Sequence, residues 1–472
     1  MKKTIFLTGA TGHMGWAGFL ELYARKERFD IRILVRDSKK NRKKLLPYAG
    51  DPSLRIIWGD LMVYEDVAEG VRGADIVLHL GGMVSPAADY YPEKTMRVNV
   101  HSAENIARAV LAQPDSDNIK VVYIGSVAQY GDRRAPYHWG RAGDPVLASR
   151  FDSYSVSKCL AEQIIVDSGI KHWVSIRQTS MLYPGILGVV NPVAFHVPMA
   201  GVLEWATLED SGRAIANVCE DDVPDEFWNR FYNLSSGEQY RMTNYEFLSR
   251  MFSVLGLPRP EDVFEPQWFV TRNFHGMWYT DADELDKYLH FRANIPVEDY
   301  FIALKRSLPR FFSLARLAPA FLVKLFMKPM AFKKGLGTQS WVSDDEEKLN
   351  AFYGSRLDYG KIKSWDDVLP PYLEKSVIRA KDIICLRHGW NEEKPLHSLS
   401  DEELISAAQF RGGRFIRRIS GNFCEWECEK GHHFKASLEY VLLGGGWCTQ
   451  CNLDSLQSEQ GSTNNFVAQI RL

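Results

Sequence analysis

The amino-acid sequence predicts an α/β fold: a doubly wound parallel sheet with helices on both faces, a smaller second lobe and a small metal-binding domain at the C terminus. Three observations predict it. Short β-type runs alternate with helical patterns, a glycine turn follows the first run, and cysteine and histidine residues cluster near the end. A chain of 472 residues also leaves room for several domains, because one hydrophobic core stops growing at roughly 250–300 residues.

The composition is that of an ordinary globular protein. Hydrophobic residues make up 45% of the chain, charged residues 25%, and the formal net charge is -2. These values argue against a disordered chain and against nucleic-acid binding through overall charge. The apolar run after Met1 is too short for a signal-peptide core. Four of the seven cysteines lie in the C-terminal cluster, which favours reduced thiols and a metal over disulfides, so we expect a cytoplasmic protein.

The first strand and helix enclose a glycine turn in "KKTIFLTGATGHMGWAGFLELYAR". Gly9, Gly12 and Gly15 have the spacing G-x-x-G-x-x-G, which lets backbone approach a pyrophosphate at a helix N-terminus. Alone this signal is weak, because a tight turn needs glycine for steric reasons. Further strands at "IRILVR", "LRIIWGDL" and "ADIVLHLGG", with helical patterns between them, strengthen it. Together they predict a Rossmann-like, dinucleotide-binding sheet.

The end of the second strand bears on the choice of dinucleotide. Arg36 stands where an acidic residue would hold the adenosine ribose 2′-hydroxyl, and a guanidinium suits a 2′-phosphate. NADP is therefore the expected cofactor, while the neighbouring Asp37 keeps NAD open. Asp60 and Leu61, at the end of the third strand, are expected beside the adenine; a loop cap is the alternative for Asp60.

A serine, a tyrosine and a lysine follow in an order that suits proton and hydride transfer. Ser126 ends a strand, and Tyr154 and Lys158 are four residues apart, on one face of a helix. A phenol with a pKa of about 10 is a poor acid or base near neutrality, and a close ammonium lowers that pKa. Ser126 would hold the substrate oxygen while Tyr154 exchanges the proton and nicotinamide the hydride.

With these motifs the sequence resembles the extended short-chain dehydrogenase/reductase family, also called the NAD-dependent epimerase/dehydratase family. The resemblance covers roughly residues 1–300 and is carried by "TGATGHMG", "GDL", "VLHLGG", "RVNV", "GSVAQYG", "YSVSK" and "IRQTSMLYPG". It implies a catalytic triad of Ser126, Tyr154 and Lys158. The cofactor-binding residues that it implies are Gly9, Thr11, Gly12, His13, Met14, Gly15, Arg36, Asp60, Leu61, Leu80, Gly81, Gly82 and Asn99, together with Tyr154 and Lys158.

Departures from the family pattern narrow the reaction. The sugar-nucleotide dehydratases of this family carry an acidic pair directly after the catalytic hydroxyl, where this chain has Val127 and Ala128. Its sugar-nucleotide epimerases usually carry an Asn just after the position of Arg177, where this chain has Gln178. The leading hypothesis is an oxidoreductase acting on a carbonyl or secondary alcohol of a small molecule. One alternative is an epimerase that oxidises its substrate transiently. The other is an NADP(H)-sensing binding protein whose C-terminal zinc module binds a partner or nucleic acid.

The stretch from Tyr300 to Ser343 contains no Asp or Glu. Its basic residues are Lys305, Arg306, Arg310, Arg316, Lys324, Lys328, Lys333 and Lys334. The apolar run within it is interrupted before it reaches the roughly 20 residues of a membrane span. Peripheral membrane contact through 300–343, a cover over the substrate pocket and a subunit contact stay open, and an apolar or amphiphilic substrate fits the same stretch.

The C-terminal cluster predicts a structural zinc site. Cys428 and His432 have the spacing C-x3-H, and fifteen residues later Cys448 and Cys451 form C-x2-C. Three thiolates and one imidazole match a closed tetrahedral zinc set, with Cys424 and His433 as nearby spare ligands. The segments "WECEKGHHF" and "WCTQC" resemble zinc-ribbon or treble-clef modules. Four glutamates dilute the positive charge of this segment, so nucleic acid is not expected as a partner.

These patterns divide the chain into three predicted parts. Residues 1–300 form the dehydrogenase-like domain, with the substrate lobe mainly in 184–300. Residues 301–385 form a basic apolar extension and linker, and 386–472 the zinc-binding domain. The resemblance also implies a homo-oligomer, because members of the family often pair through the helix that carries the tyrosine and lysine.

Overall fold

The computed structural model describes residues 2–188, 191–308, 318–369 and 383–456. Its strands are β1 Lys3–Thr8, β2 Phe29–Val35, β3 Leu54–Trp58, β4 Ile76–His79, β5 Lys120–Ser126, β6 Trp139–Gly140, β7 His172–Gln178, β8 Met181–Leu182, β9 Val202–Glu204, β10 Ala206–Thr207, β11 Arg230–Leu234, β12 Arg241–Thr243, β13 Trp278–Tyr279, β14 Arg414–Ser420, β15 Phe423–Glu427 and β16 His433–Ser437.

The α-helices connect these strands and form most of the second lobe. They are α1 His13–Ala24, α2 Lys39–Leu45, α3 Tyr64–Val71, α4 Ala87–Tyr90, α5 Pro92–Leu111, α6 Ser153–Val166, α7 Leu208–Asn217, α8 Asn244–Leu255, α9 Pro260–Val263, α10 Ala282–Leu289, α11 Val297–Ser307, α12 Ala320–Ala331, α13 Thr338–Asp344, α14 Glu346–Tyr353, α15 Arg356–Lys361, α16 Asp401–Phe410 and α17 Thr449–Asp454. A π-helix spans Glu439–Leu443.

The main sheet has seven strands in the order β11-β7-β5-β4-β1-β2-β3, and every pair is parallel. The strand order reverses between β1 and β4, which creates a crevice at the carboxyl ends of these strands where ligands bind in such folds. The predicted strands at "IRILVR", "LRIIWGDL" and "ADIVLHLGG" are the observed β2, β3 and β4. The doubly wound fold class is confirmed.

Both faces of the sheet are buried, as a parallel sheet requires. Ile5 of β1 packs in a core with α1 and α7, whereas its neighbour Phe6 packs on the opposite face with α3, α5 and α6. Successive residues of a strand point to opposite faces, so the apolar run of β1 serves two cores.

The second lobe has its own core, which continues beyond the dehydrogenase-like part. Phe195, Trp268 and Phe301 belong to the same apolar cluster as Trp341 of α13 and Tyr353 of α14. The residues from 318 to 369 therefore pack into this lobe. Within the basic stretch, Arg310 and Arg316 lie outside the described residues, as does the linker segment 370–382.

The C-terminal segment packs directly on the main sheet. Strands β14, β15 and β16 form an antiparallel sheet, and Trp426 and Tyr440, both fully buried, share a core with Trp173 of β7 and Phe231 of β11. This segment thus covers one face of the main sheet at strands β7 and β11. Residues 457–472 of the predicted zinc domain lie outside the described residues.

Candidate functional site

The glycine turn follows β1 at the switch point of the sheet. Gly9 has a φ of +73°, and the N–H of Gly12 donates to its carbonyl at 3.0 Å. A Cβ on Gly15 would lie 2.2 Å from the Gly9 carbonyl oxygen, and one on Gly9 would lie 2.8 Å from the amide nitrogen of Gly81. Only glycine fits this turn. Helix α1 begins directly after it and has no side-chain cap, so its first N–H groups face the crevice with the positive end of the helix dipole.

The other wall of the crevice is built by the loop after β4. Thr8 accepts a hydrogen bond from the Gly81 N–H at 3.0 Å, and a Cβ on Gly81 would lie 2.3 Å from the Leu61 side chain. Asn99 accepts from the Met83 N–H at 2.7 Å and donates to Ser157 of α6 at 2.9 Å. Asn99 therefore ties the loop that follows β4 to the helix that carries Tyr154 and Lys158.

The remaining predicted cofactor residues follow the strands β1, β3 and β4. The carbonyl of Thr11 accepts from Lys44 at 3.1 Å, and the His13 ring lies 4.2 Å from the Tyr183 ring. Asp60 accepts from the Met62 N–H at 3.0 Å, which is the loop-cap role that was its alternative. Met14 is buried, Leu80 packs at the edge of the sheet core, and Gly82 lies close to the Asn99 amide.

Arg36 and Asp37, which directly follow β2, have different surroundings. Arg36 is exposed, and its side chain has no ion-pair partner in the described ranges. Asp37 forms a two-pronged ion pair with Arg42, at 2.6 and 2.7 Å, and this hydrogen bonding lowers the pKa of Asp37. The Asp37 carboxylate is thus already committed to a partner, whereas the Arg36 guanidinium is free to receive an anion.

Ser126, Tyr154 and Lys158 come together at the carboxyl end of β5. The Ser126 hydroxyl, which accepts from the Ala128 N–H at 3.2 Å, also hydrogen-bonds the Tyr154 phenol. The Lys158 ammonium donates to the carbonyl of Ile124 at 2.8 Å. The spacing on α6 and the strand end of Ser126 therefore place the three predicted groups at one edge of the crevice.

The protonation of this set differs from the prediction. The pKa of Tyr154 is raised to about 12 because loss of solvent outweighs the hydrogen bond with Ser126. Burial lowers the pKa of Lys158 to about 8. The sequence predicted that the ammonium would lower the tyrosine pKa. In this structure Lys158 is directed to a backbone carbonyl, so that effect does not dominate.

Three buried residues behind Ser126 were not identified from the sequence. The Gln129 side chain accepts from the Ser126 N–H at 2.7 Å and donates to Glu162 at 2.8 Å. Glu162 is paired with Arg177 at 2.7 Å, and both side chains are fully buried. Arg177 also donates to the carbonyl of Gly444 at 2.6 Å. A polar chain therefore joins the C-terminal segment to the serine. In the sequence, this polar chain is signalled only by Arg177, a charged residue within a buried strand, and by Glu162, one helical turn after Lys158.

The four predicted zinc ligands converge. Ligand atoms of Cys428, His432, Cys448 and Cys451 all lie within 4.8 Å of one another. The Cys428 and Cys451 sulfurs are 3.6 Å apart, and His432 Nδ1 is 3.6 Å from the Cys448 sulfur and 3.5 Å from the Cys451 sulfur. A tetrahedral zinc with bonds of about 2.3 Å to sulfur and 2.0 Å to nitrogen needs edges of about 3.5–3.8 Å. These donors fit that metal.

Surrounding contacts hold the ligands and set the spare residues aside. Gly431, with a φ of +81°, allows the tight turn from Cys428 to His432. The second ring nitrogen of His432 lies 3.9 Å from the Asp454 carboxylate, beyond hydrogen-bond distance. Cys424 points into the core, and His433 is exposed between Glu425 and Glu427.

Comparison with known proteins finds a family model that matches the first part of the chain. Residues 5–186 match the model of the NAD dependent epimerase/dehydratase family. The predicted resemblance is confirmed over these residues.

Curated relatives include UDP-glucose 4-epimerase of Rickettsia akari (strain Hartford), 33% identical over 115 residues, and that of Rickettsia bellii (strain RML369-C), 32% identical over 113 residues. These matches cover 24% and 23% of this chain, and each covers 33% of the relative. The chain thus spans about a third of the length of the curated relatives that it matches.

Solved structures share the fold at low sequence identity. The dTDP-glucose 4,6-dehydratase DesIV of Streptomyces venezuelae, crystallised with NAD, has a TM-score of 0.51 and 18% identity, over 64% of this chain and 96% of its own. The Bordetella bronchiseptica enzyme WbmG, in complex with NAD and UDP, has a TM-score of 0.51 and 15% identity, over 67% and 98%. At this identity the likeness concerns the fold alone.

Proposed function

We propose that this chain, whose residues 5–186 match the NAD dependent epimerase/dehydratase family, is an NAD(P)-dependent oxidoreductase. It would transfer a hydride between nicotinamide and a carbonyl or secondary alcohol of a small molecule. The observation that carries the proposal is the position of Ser126, Tyr154 and Lys158 at the same sheet edge as the glycine turn. The solved neighbours that contain NAD support a nicotinamide cofactor.

Each group of the triad has a task in this chemistry. The bound nicotinamide would supply or accept the hydride. Ser126 would hold the reacting oxygen through its hydroxyl, and Tyr154 would exchange the proton at that oxygen. A phenol with a pKa of about 12 is protonated at neutral pH, so Tyr154 carries the proton that carbonyl reduction needs. It is a weak acid until a nearby cation stabilises the phenolate. The Lys158 ammonium would anchor the nicotinamide ribose and favour the phenolate in the reverse direction.

Transient oxidation followed by epimerisation is the second candidate. The curated relatives named UDP-glucose 4-epimerase favour it. Dehydration is disfavoured, because Val127 and Ala128 are buried apolar residues in place of the acidic pair.

Native mass spectrometry of the purified protein, followed by a hydride-consumption screen over ketones, separates the candidates. Cofactor that resists dialysis without net NADP(H) consumption supports the epimerase. Consumption with one substrate class supports the oxidoreductase, and binding without any turnover would overturn both in favour of a sensor.

NADP is the proposed cofactor form, because Arg36 is free and Asp37 is bound to Arg42. We expect Arg36→Ala to weaken NADP+ binding by about tenfold and NAD+ binding by much less, since a charge-assisted contact to phosphate is lost. Isothermal titration with both dinucleotides measures this. Arg55→Ala, on the edge strand β3, is the matched control. Equal losses for NAD+ and NADP+ would contradict the proposed role of Arg36.

A structural zinc bound by Cys428, His432, Cys448 and Cys451 is the proposed metal. A closed set of four protein ligands leaves no position for a catalytic water, so the metal would fix the fold of this segment. We expect one zinc per chain by elemental mass spectrometry, and loss of most of it in Cys451→Ser. Cys385→Ser, at an exposed cysteine outside the cluster, should keep the metal. Full zinc content in Cys451→Ser would rule out this ligand set.

The remaining assignments concern the whole protein and are proposals too. We infer that the substrate is a small molecule, which could be apolar. We also infer a cytoplasmic location and domain boundaries near residues 300 and 385. A homo-oligomer is also proposed. The C-terminal segment packs on α6, where Ser437 donates to the C-cap residue Asp167 at 2.5 Å. A second subunit could therefore pair only with a part of α6 that this segment leaves uncovered.

A further inference from the structure

Helix α12 is apolar on both of its sides. Its inner side, with Val323, Met327 and Ala331, packs against the core of the second lobe. Its outer side exposes Phe321, Leu325 and Phe326 by 67%, 65% and 63%, and Leu322 and Phe332 are exposed as well. A folded monomer rarely presents so many large apolar side chains within twelve residues unless they contact something.

Cations accompany this face. Lys328 lies on α12, and Lys333 and Lys334 follow it. Lys328 and Lys334 form no ion pair within the part of the chain that the structure describes, whereas Lys324 is paired with Glu265. Since Tyr300–Ser343 contains no acidic residue, nothing on the stretch itself neutralises these ammonium groups. The surface therefore combines aromatic and aliphatic side chains with lysines that have no ion-pair partner among the described residues.

We propose that this outer face of α12 docks on the surface of a lipid bilayer that contains anionic lipids. Apolar side chains at the headgroup boundary and lysines beside lipid phosphates are the pairing that such a helix uses. A second copy of the chain is a poorer occupant, because apposed α12 helices would bring the same lysines together. Helix α12 has twelve residues, and across the described ranges no helix has the length and apolar character to cross a bilayer, so it would lie along the surface.

The segment that follows α12 is anchored by two side-chain contacts. Lys333, just after α12, donates to the Tyr90 hydroxyl at 3.1 Å, and Tyr90 ends α4, which contacts α6. The His196 ring contacts the carbonyl of Leu336 at 2.7 Å and so fixes the segment after α12 to the lobe. These two contacts hold the segment after α12 against α4 and the second lobe. The inference goes beyond the proposed reaction and does not depend on it.

Vesicle co-sedimentation of the full chain tests the proposal. Vesicles of phosphatidylcholine alone are compared with vesicles that contain about 30% phosphatidylglycerol, at low and physiological salt. We expect the protein to pellet with the anionic vesicles, roughly tenfold more weakly with the neutral ones, and less at higher salt. Failure of the wild-type chain to bind either vesicle would overturn the proposal.

Variants locate the contact. Phe326→Asp is expected to weaken vesicle binding by at least about tenfold, and the double variant Lys328→Glu/Lys334→Glu to abolish the preference for anionic vesicles. Leu46→Asp, at a leucine that is 71% exposed on the nucleotide-binding half, should bind like the wild type. Circular dichroism checks that each variant is folded. Unchanged vesicle binding by Phe326→Asp would show that the contact lies at another site. A wild-type dimer in light scattering that Phe326→Asp converts to a monomer would show that the face binds a second copy of the chain. Either result would overturn the proposal.

Discussion

Replacing Tyr154 by Phe is expected to lower kcat/KM by roughly 10²- to 10⁴-fold, which is the contribution of a positioned acid or base. The phenol is hydrogen-bonded to Ser126 at the end of β5, and the ring itself would stay in place. NADP+ affinity should fall far less than kcat/KM, because the variant removes one hydroxyl group from the cofactor pocket and keeps the ring. The rate is followed as nicotinamide absorbance with the substrate class that the ketone screen identifies.

A control variant separates chemistry from structure. Tyr123→Phe also removes a phenol hydroxyl beside α6, where it donates to the Lys158 carbonyl at 3.3 Å, but Tyr123 lies outside the triad. We expect its turnover to stay near that of the wild type. If Tyr154→Phe retained turnover, the assignment of Tyr154 would be wrong. If both variants lost activity equally, Tyr154 would have a structural role in α6.

The second large effect concerns the buried pair of Arg177 and Glu162. Arg177→Met is expected to lower the free energy of unfolding by about 3–5 kcal/mol, because it leaves the Glu162 carboxylate buried without its counter-charge. It also removes the hydrogen bond to Gly444 that joins the sheet to the C-terminal segment. Denaturant unfolding followed by tryptophan fluorescence measures the loss, since Trp173 and Trp426 lie in the same core.

A double variant tests the cause. Glu162→Gln combined with Arg177→Met removes both charges. The new amide keeps one acceptor oxygen for the Gln129 NH2, and its own NH2 can donate to the Ser175 hydroxyl, so the double variant should recover a large part of the lost stability. Arg414→Met breaks an exposed ion pair with Glu427 and should leave the unfolding curve nearly unchanged. A single variant as stable as the wild type would show that the pair is dispensable for the fold.

Local patterns were enough to predict much of the nucleotide-binding half. The turn at Gly9 is determined by sterics that act within a few residues, and the strand runs carry their own periodicity. The same holds for the candidate metal ligands, because C-x3-H and C-x2-C each close a short turn. Such features depend on neighbours in sequence, so a single sequence is sufficient to identify them.

Long-range packing decided the rest. The sequence treats Arg177 only as the residue before Gln178, whereas the fold buries it between Glu162 and Gly444, the latter 267 residues further along the chain. The spacing of Tyr154 and Lys158 predicts a shared face, but solvent exclusion and the Ile124 carbonyl determine their pKa values.

The doubly wound sheet, the glycine turn, the order of the proposed triad and the four candidate metal ligands could be read from the sequence, because each follows from local spacing and periodicity. Only the tertiary structure decided that the C-terminal segment covers β7 and β11 and that α12 turns an apolar face outward. The physical reason is that burial depends on which distant surfaces meet, and a pattern of apolar residues does not specify its partner.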